Sequence, residues 1–405
     1  MIIELHILQN FAPSNLNRDD TNSPKECEFG GYRRARVSSQ CIKRSIRYAG
    51  KDPKDETAQS VFERNTLVPL GKRTHLIVSP LCKRMKAAGK TEDDATKVAT
   101  EFTRLYSSKK GKMDTKNPEQ TAVLLYMSEQ ELDEIAKQLL AFDWGQLLPA
   151  INIAKPKNKK DDGDKEEDDE KTTAKSPLKK MANEWVKQTE KRPSAPDIAL
   201  FGRMLADRPE TNIYAACQVA HAISTHKVGV EFDFYTAVDD LQPKAETGAS
   251  MMGTIEFNSA CFYRYANIDF KQLKKNLGGD TELAKKTVEA FIRASVNAIP
   301  TGKQNSFAAQ NPPSFVFAVA RKSGAWSLAN AFVKPVWVGE NGDLIEESTV
   351  KLVDYWGKLA KAYGDNDIQA KPAYTLGTID LKGLDAVDSL EYLISKINQT
   401  VAAEC

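Results

Sequence analysis

Cysteine is sparse and dispersed. Its six residues, at 27, 41, 82, 217, 261 and 405, form no C-x-x-C, so neither a zinc knuckle nor a disulfide framework is indicated, and reduced thiols in a cytoplasm are the simplest expectation. Histidine is rarer still, with four residues. His221 and His226 are five apart, on opposite faces of a strand and about 140° apart on a helix. They cannot jointly ligate a metal from a regular element, and packed or surface roles are expected. No Walker A loop, G-x-S-x-G or H-E-x-x-H occurs, which removes the specific hydrolase signatures. No apolar run approaches a membrane span, and the opening MIIELHILQNF has Glu4 where a secretory leader needs basic residues. The chain reads as soluble and intracellular, with no metal or cofactor called for. Charge of one sign is also lacking: 57 Lys+Arg against 55 Asp+Glu leave a net charge of +2 and a pI near 8.0. A small nucleic-acid-binding domain is expected to be far more basic, so any site for a polyanion must be local.

What the chain does have is length and core: 405 residues with 41% hydrophobic side chains suffice for one large core or two smaller ones. Its most distinctive stretch is Leu16 to Gly50. A turn-rich loop of mixed charge runs through Gly30-Gly31 and then turns purely basic, with Arg33, Arg34, Arg36, Lys43, Arg44 and Arg47 and no acidic residue after Phe29. Ile42 with Ile46 and Lys43 with Arg47 have helical spacing. Ser38 and Ser39 stand where that helix begins, offering a cap and backbone N–H groups at the positive end of its dipole. A glycine loop leading into a basic helix suits an extended polyanion. A solvated basic face on an ordinary helix is the alternative.

Ahead of this stretch, Ile3, Leu5 and Ile7 alternate as in a half-buried strand. The opening is thus strand, long loop, helix, as in a ferredoxin-like or RNA-recognition fold, though many α/β folds begin likewise. From about Asp52 to Ile153 the pattern is helical. A Ser128-x-x-Glu131 capping box opens its clearest helix, and Leu132, Ile135, Leu139, Leu140 and Phe142 mark one stripe. Pro156 to Ser176 is charged and nearly without apolar residues, and is expected to be a mobile surface tract, with mimicry of nucleic acid as the alternative. Asp197 to Met204 reads as a strand, and Ala215 to Leu241 as a strand pair or ribbon. Gly248 to Phe270 reads as turn plus strand, so that a ribbon projects from the core. A helix over Leu283 to Ala298, a strand at SFVFAVA and helices over Thr349 to Tyr363 and Val387 to Ile397 complete the chain.

Several side chains could carry chemistry. Asp19 and Asp20 could hold Mg²⁺ near a phosphodiester or fix their loop by pairing with Arg18, Arg33 or Arg34. The second role is favoured because a two-metal site needs more carboxylates than this loop supplies. Phe232, Phe234, Tyr235, Phe257, Phe262, Tyr263 and Tyr265 could stack on bases but are mostly expected in the core. Met204 is a core residue by default, although a methionine at the end of a strand can wedge between bases. Gly302-Lys303-Gln304-Asn305 could touch a phosphate.

The segments LNRDD, FGGYRRARVSSQ, IKRSIR, FGRM, AHAISTH, FYTAVDDL, FYRYANI and SLANAF, in that order, make the chain similar to the CasC family, the backbone subunit of the type I-E CRISPR Cascade complex. The likeness is discontinuous from the first strand to about Phe332. It is weak before Asp197 and in the last part of the chain, and Tyr32 stands where a basic residue is expected. The resemblance implies an α+β fold, a modified RNA-recognition palm over 1–50 and 190–405. A helical fingers insertion would occupy 51–189, including the tract 156–176, and a ribbon thumb would lie at about 228–253. It implies no catalysis. Subunits would stack head to tail along a CRISPR RNA, beside other Cascade subunits, leaving the guide free to pair with target DNA. Arg18, Lys25, Gln40, Lys43, Arg44 and Arg47 would grip phosphates and Met204 would start a wedge. Phe234, Tyr235 and Thr236 would lie on the thumb that displaces a base at intervals, and Gly302, Lys303 and Gln304 would complete the clamp. The competing reading is a metal-dependent nuclease subunit that cuts target RNA through Asp19 or Asp20. A third is an unrelated α/β protein with a basic surface helix.

Overall fold

The computed structural model describes residues 1–52, 54–55, 57–108, 113–153, 177–189, 192–237, 251–340 and 342–404. The tract 156–176 and positions 238–250 of the expected ribbon lie outside them. In chain order the strands are β1 (Ile2–Ser14), β2 (Glu26–Phe29), β3 (Tyr32–Val37), β4 (Lys72–Thr74), β5 (Leu125–Met127), β6 (Cys217–Val219) and β7 (Ala222–Ser224). They continue with β8 (Glu231–Ala237), β9 (Met251–Asp269), β10 (Phe315–Arg321), β11 (Ile368–Ala370), β12 (Pro372–Thr375) and β13 (Asp385–Ala386). The chain divides into two compact units: 1–66, 217–271 and 281–405 form the first, and 67–216 with 272–280 form the second.

In the first unit the sheet order is β13-β12-β10-β1-β9-β7-β3-β2, with β11 on β10 and β6 and β8 on β9. β1 is central and antiparallel to both neighbours: Leu5 faces Ala318 of β10 and Ala266 of β9. It is not half-buried as its alternation predicts, since Glu4 and His6 are as inaccessible as Ile3, Leu5 and Ile7. The polar positions are buried because they have partners. The Glu4 carboxylate accepts from Tyr265 Oη (2.7 Å) and Trp326 N–H (2.6 Å) and pairs with Arg321, while His6 Nδ1 meets Tyr263 Oη at 2.9 Å. On that face the core gathers Leu8, Tyr263, Phe317, Phe332 and, from the helix Leu344–Tyr363, Trp356. On the other, Leu5 and Ile7 meet Ile42 and Ile46 of α1 (Ser39–Arg47) and Ser295 of the helix Thr281–Asn297. Gly30 and Gly31 are a tight hairpin turn between β2 and β3, with φ of +63° and +80° that suit glycine. The loop of the sequence reading is therefore Asn15 to Lys25, upstream of β2.

The second unit is helical around β4 and β5. Its core includes Leu81, Val98, Phe102, Leu132, Ile135, Leu139 and Trp185. The expected capping box is present in both directions: Ser128 N–H reaches Glu131 Oε2 at 2.9 Å and Glu131 N–H reaches Ser128 Oγ at 3.1 Å. Many of this region's cations are matched by carboxylates, Lys72 and Arg84 by Glu129, Arg84 also by Asp133, and Lys86 by Glu92. Asp197 to Met204 is not a strand. Pro196–Phe201 is a short, wholly buried helix with Pro196 in its first turn, where the fixed φ of proline favours helix entry.

Candidate nucleic-acid interface

The basic helix α1 starts on a Ser38 cap whose Oγ accepts from Cys41 N–H, and its first turn carries no acidic side chain. Ser38 N–H in turn donates to Asn17 Oδ1 at 2.8 Å, and Asn17 O accepts from Lys25 N–H at 2.9 Å. The loop that carries Arg18 and Lys25 is thereby held at the helix N-terminus, where Gln40 stands in the first turn, and Lys25 and Arg44 are both within electrostatic reach of Cys41; Arg44, in the last turn, lies over the Tyr48 ring. Arg18, Gln40 and Arg44 are exposed and Lys25 and Lys43 half-buried. Arg47 is different. Only 4% exposed, it shares the buried side with Ile42 and Ile46, and its guanidinium lies 5.1 Å from the Tyr48 ring centroid. As a surface cation it is corrected, because it stands next to Ile46 on the side of the helix turned to the core.

The segment expected to complete the clamp closes on the same loop. A Cβ on Gly302 would lie 2.4 Å from Leu16 O and 2.7 Å from Asn15 O, so only glycine lets the two backbones meet. Lys303 follows in the left-handed region at φ +51°. Gln304 is a correction of detail. Its amide donates to Pro300 O (2.9 Å) and Ala309 O (3.4 Å), and its oxygen accepts from Gln310; with both amide hydrogens committed, it shapes the loop. Phe307 then packs on Phe257, 5.7 Å between centroids.

Phe257 is at the root of the β8–β9 ribbon. All seven residues of β8 are exposed, and β8 pairs only with the outer part of β9, from Glu231 opposite Phe257 to Ala237 opposite Met251. Opposed residues share a face, so Phe232, Phe234, Thr236 and Met252 line one side, and Tyr235 lies on the other, folded over Gly253. Asn15, which sequence reading passed over, ties ribbon and loop together. Its Nδ2 donates to Glu256 O at 2.9 Å and to Asn22 O at 3.0 Å. Nothing local in the sequence marks it, since both acceptors are backbone atoms.

Met204 belongs to the second unit and is 82% exposed. It lines an open concavity of about 500 Å³ with Leu124, Tyr126, Tyr214 and Arg73. It follows a helix rather than ending a strand, and the default placement in the core is overturned.

Asp19 takes the structural role favoured by the sequence, with different partners. Its Oδ1 accepts from Thr21 Oγ1 (2.7 Å), Thr21 N–H (2.9 Å) and Ser23 N–H (3.0 Å); the Thr21 hydroxyl foremost holds its pKa below the ordinary carboxylate value. Among the described residues no group of three or more His, Cys, Asp or Glu is placed to hold a metal. Arg34 is buried, not phosphate-facing. Arg33 pairs with Glu26 at 3.0 Å.

The fold is that of a mixed α+β chain with one large antiparallel-rich sheet, and solved structures share it over their whole length. A chain of a CRISPR RNA-guided surveillance complex in a pre-nicking form is 30% identical, with a TM-score of 0.80 and 100% of both chains covered. A chain of a second CRISPR RNA-guided surveillance complex is 25% identical, with a TM-score of 0.70 and the same coverage. No curated protein sequence matches. The chain belongs to the CT1975-like protein family, whose model matches residues 3–396. The resemblance to CasC-type subunits is upheld. Among the described residues no helix is long and apolar enough to cross a membrane.

Proposed function

We propose that this chain is a CRISPR RNA-binding backbone subunit of a Cascade-type surveillance complex, carrying out no bond-making or bond-breaking step of its own. The observation that carries the reading is the tethering of the loop that bears Arg18 and Lys25 to the acid-free N-terminus of a helix that itself carries Lys43 and Arg44, in a chain similar over its whole length to subunits of such complexes. A guide has to be held whatever its sequence, which requires phosphate contacts rather than base readout. The covering of the sheet supports this. An ordinary RNA-recognition domain stacks bases on an open sheet face, but here the helix Leu344–Tyr363 lies over one face and α1 with Thr281–Asn297 over the other.

In this reading the first unit is the palm, its β8–β9 ribbon the thumb, and the second unit the fingers. Successive copies run head to tail along the guide, a contact that does not close and so propagates. Phe234, Tyr235 and Thr236 of one copy and Met204 displace a base at intervals. The guide's remaining bases pair with target DNA, and other subunits cap the filament. The protein works in the cytoplasm.

Lys43→Ala and Arg44→Ala are each expected to lower the slope of log affinity against log salt by roughly 0.7 for single-stranded RNA, and to weaken binding equally for unrelated spacers. Electrophoretic titration of the full chain with two guides over a salt series measures both. Losses that depend on spacer sequence, or an unchanged slope, overturn the backbone grip. Gly302→Ala tests the clamp. Overpacking against Asn15 and Leu16 is expected to cost about 1–3 kcal/mol, read as a lower denaturation midpoint and weaker guide binding, whereas Gly31→Ala, whose Cβ meets nothing within 4 Å but whose φ of +80° is strained, is expected to lower the midpoint and leave guide binding intact.

A further inference from the structure

His221 immediately precedes β7 at the start of α1, and the interface described above does not use it. Its ring is exposed, yet fixed: Ser39 N–H donates to Nδ1 at 3.3 Å, and an Arg36 guanidinium nitrogen is 3.2 Å from the same atom. Both neighbours carry hydrogens, so Nδ1 has to be the acceptor, and the ring proton is on Nε2. Partial burial first, then the charges of Arg36 and Lys25, hold the pKa of this ring below its ordinary value. At neutral pH the ring is therefore uncharged. Protonating it would set one N–H against another and place a third cation beside Arg36 and Lys25.

We propose that His221 is a further guide contact, donating Nε2–H as a neutral hydrogen bond to a phosphate oxygen of the RNA. The inference rests on the reading of this surface as the guide's binding site. The fixed ring brings a donor to the cations already described. Lys25 is within electrostatic reach of the ring, Arg36 touches it, and the exposed Gln40 follows Ser39, to which the ring is bonded. The ring is oriented before the ligand arrives, so little rotamer freedom remains to be lost on binding. The contact complements the lysines. An ammonium supplies charge without direction, whereas a tethered N–H fixes where along the chain a phosphate must stand.

A purely structural role has to be distinguished, because the same ring also accepts from the first N–H of α1. His221→Asn separates the two functions: the Asn carboxamide oxygen can take the place of Nδ1, but its reach ends short of Nε2. His221→Gln restores a donor at about the distance of Nε2. Full-length variants are titrated with a labelled guide RNA and melted in parallel. The expected result for His221→Asn is an unchanged melting temperature, roughly threefold to tenfold weaker binding and an unaltered salt slope, since a neutral donor releases no counterion. His221→Gln is expected to recover most of the loss. Wild-type binding by His221→Asn, with loss only in His221→Phe, would reduce His221 to a helix cap and overturn the inference. Lys43→Ala in the same series keeps the two readings apart: if it weakens binding while His221→Asn does not, only this inference fails. If neither has an effect, the guide does not bind on this surface.

Discussion

Arg34→Ala is expected to destabilise the chain by about 3–5 kcal/mol, while Arg33→Ala, one residue away, changes stability by less than about 1 kcal/mol. Arg34 is buried and sends Nη1 to Ser224 O (3.1 Å) and Thr225 O (2.9 Å) and Nη2 to Phe332 O (2.7 Å) and Val333 O (3.3 Å). Alanine removes the fork's donors from four carbonyls, of which Thr225 O keeps the Val336 N–H at 3.0 Å. It also frees the tip of the β2–β3 hairpin, where a Cβ on Gly30 would lie 2.3 Å from Val333 O. Lysine cannot substitute, because an ammonium does not span two pairs of acceptors, and Arg34→Lys is expected to recover less than half of the loss. Arg33 is largely in solvent and its ion pair with Glu26 is screened. Chemical denaturation monitored by fluorescence measures both variants. Equal midpoints would mean that the buried fork contributes nothing beyond what water supplies. A fall in melting temperature on the order of 10 °C is expected for Arg34→Ala.

The contrast shows where sequence reading stops. β1, the Ser38 cap of α1, the Ser128–Glu131 box and the ribbon strand β8 were legible because each is written in consecutive residues, as alternation, helical spacing or a cap at a fixed offset. Composition treats Arg33, Arg34, Arg36 and Arg47 as one basic run. Their separation depends on what packs above each, and that comes from residues nearly two hundred or more positions away, Ser224 and Phe332 for Arg34 and His221 for Arg36. The run at Asp197 to Met204 is a different case: the consecutive apolar residues Ile198 to Phe201, all buried, have no period to read, and the proline at 196, a first-turn residue of helices, is the available clue. The alternation of Ile3, Leu5 and Ile7 predicts one buried face, and β1 is buried on both because Tyr263, Tyr265 and Trp326 supply hydrogen bonds to Glu4 and His6 there. The resemblance names Arg18, Lys25, Lys43 and Arg44, but not Asn15, which holds the loop to the ribbon root.

In the helical unit the largest effect is expected from Glu131→Ala. Glu131 closes the capping box with Ser128, and its carboxylate is also the partner of Arg203, accepting from Nη1 at 2.8 and 3.1 Å. The two side chains are 7% and 4% exposed. Arg203 further donates to Thr211 O and Tyr126 O, and Arg192 adds a second cation within electrostatic reach of the carboxylate. Removing the carboxylate therefore leaves a guanidinium in the interior without its counter-charge, at a cost of about 3–5 kcal/mol. The lost cap adds roughly 1 kcal/mol. Glu131→Gln separates the two, because glutamine still closes a capping box while the charge is gone; it is expected to escape the smaller loss and suffer the larger. Replacing both partners, Glu131→Gln with Arg203→Met, removes the unpaired charge and is expected to return most of the stability, so the coupling in a double-mutant cycle should exceed 1 kcal/mol. Additive losses would mean that the pair is decoupled in solution. Arg203 is also the residue before Met204, and its backbone bridges to Ile213 in both directions, at 3.0 and 2.9 Å. The carboxylate that caps a helix at 131 thereby fixes the segment on which an exposed methionine stands, and Glu131→Gln should spread the Met204 methyl resonance before the unit unfolds.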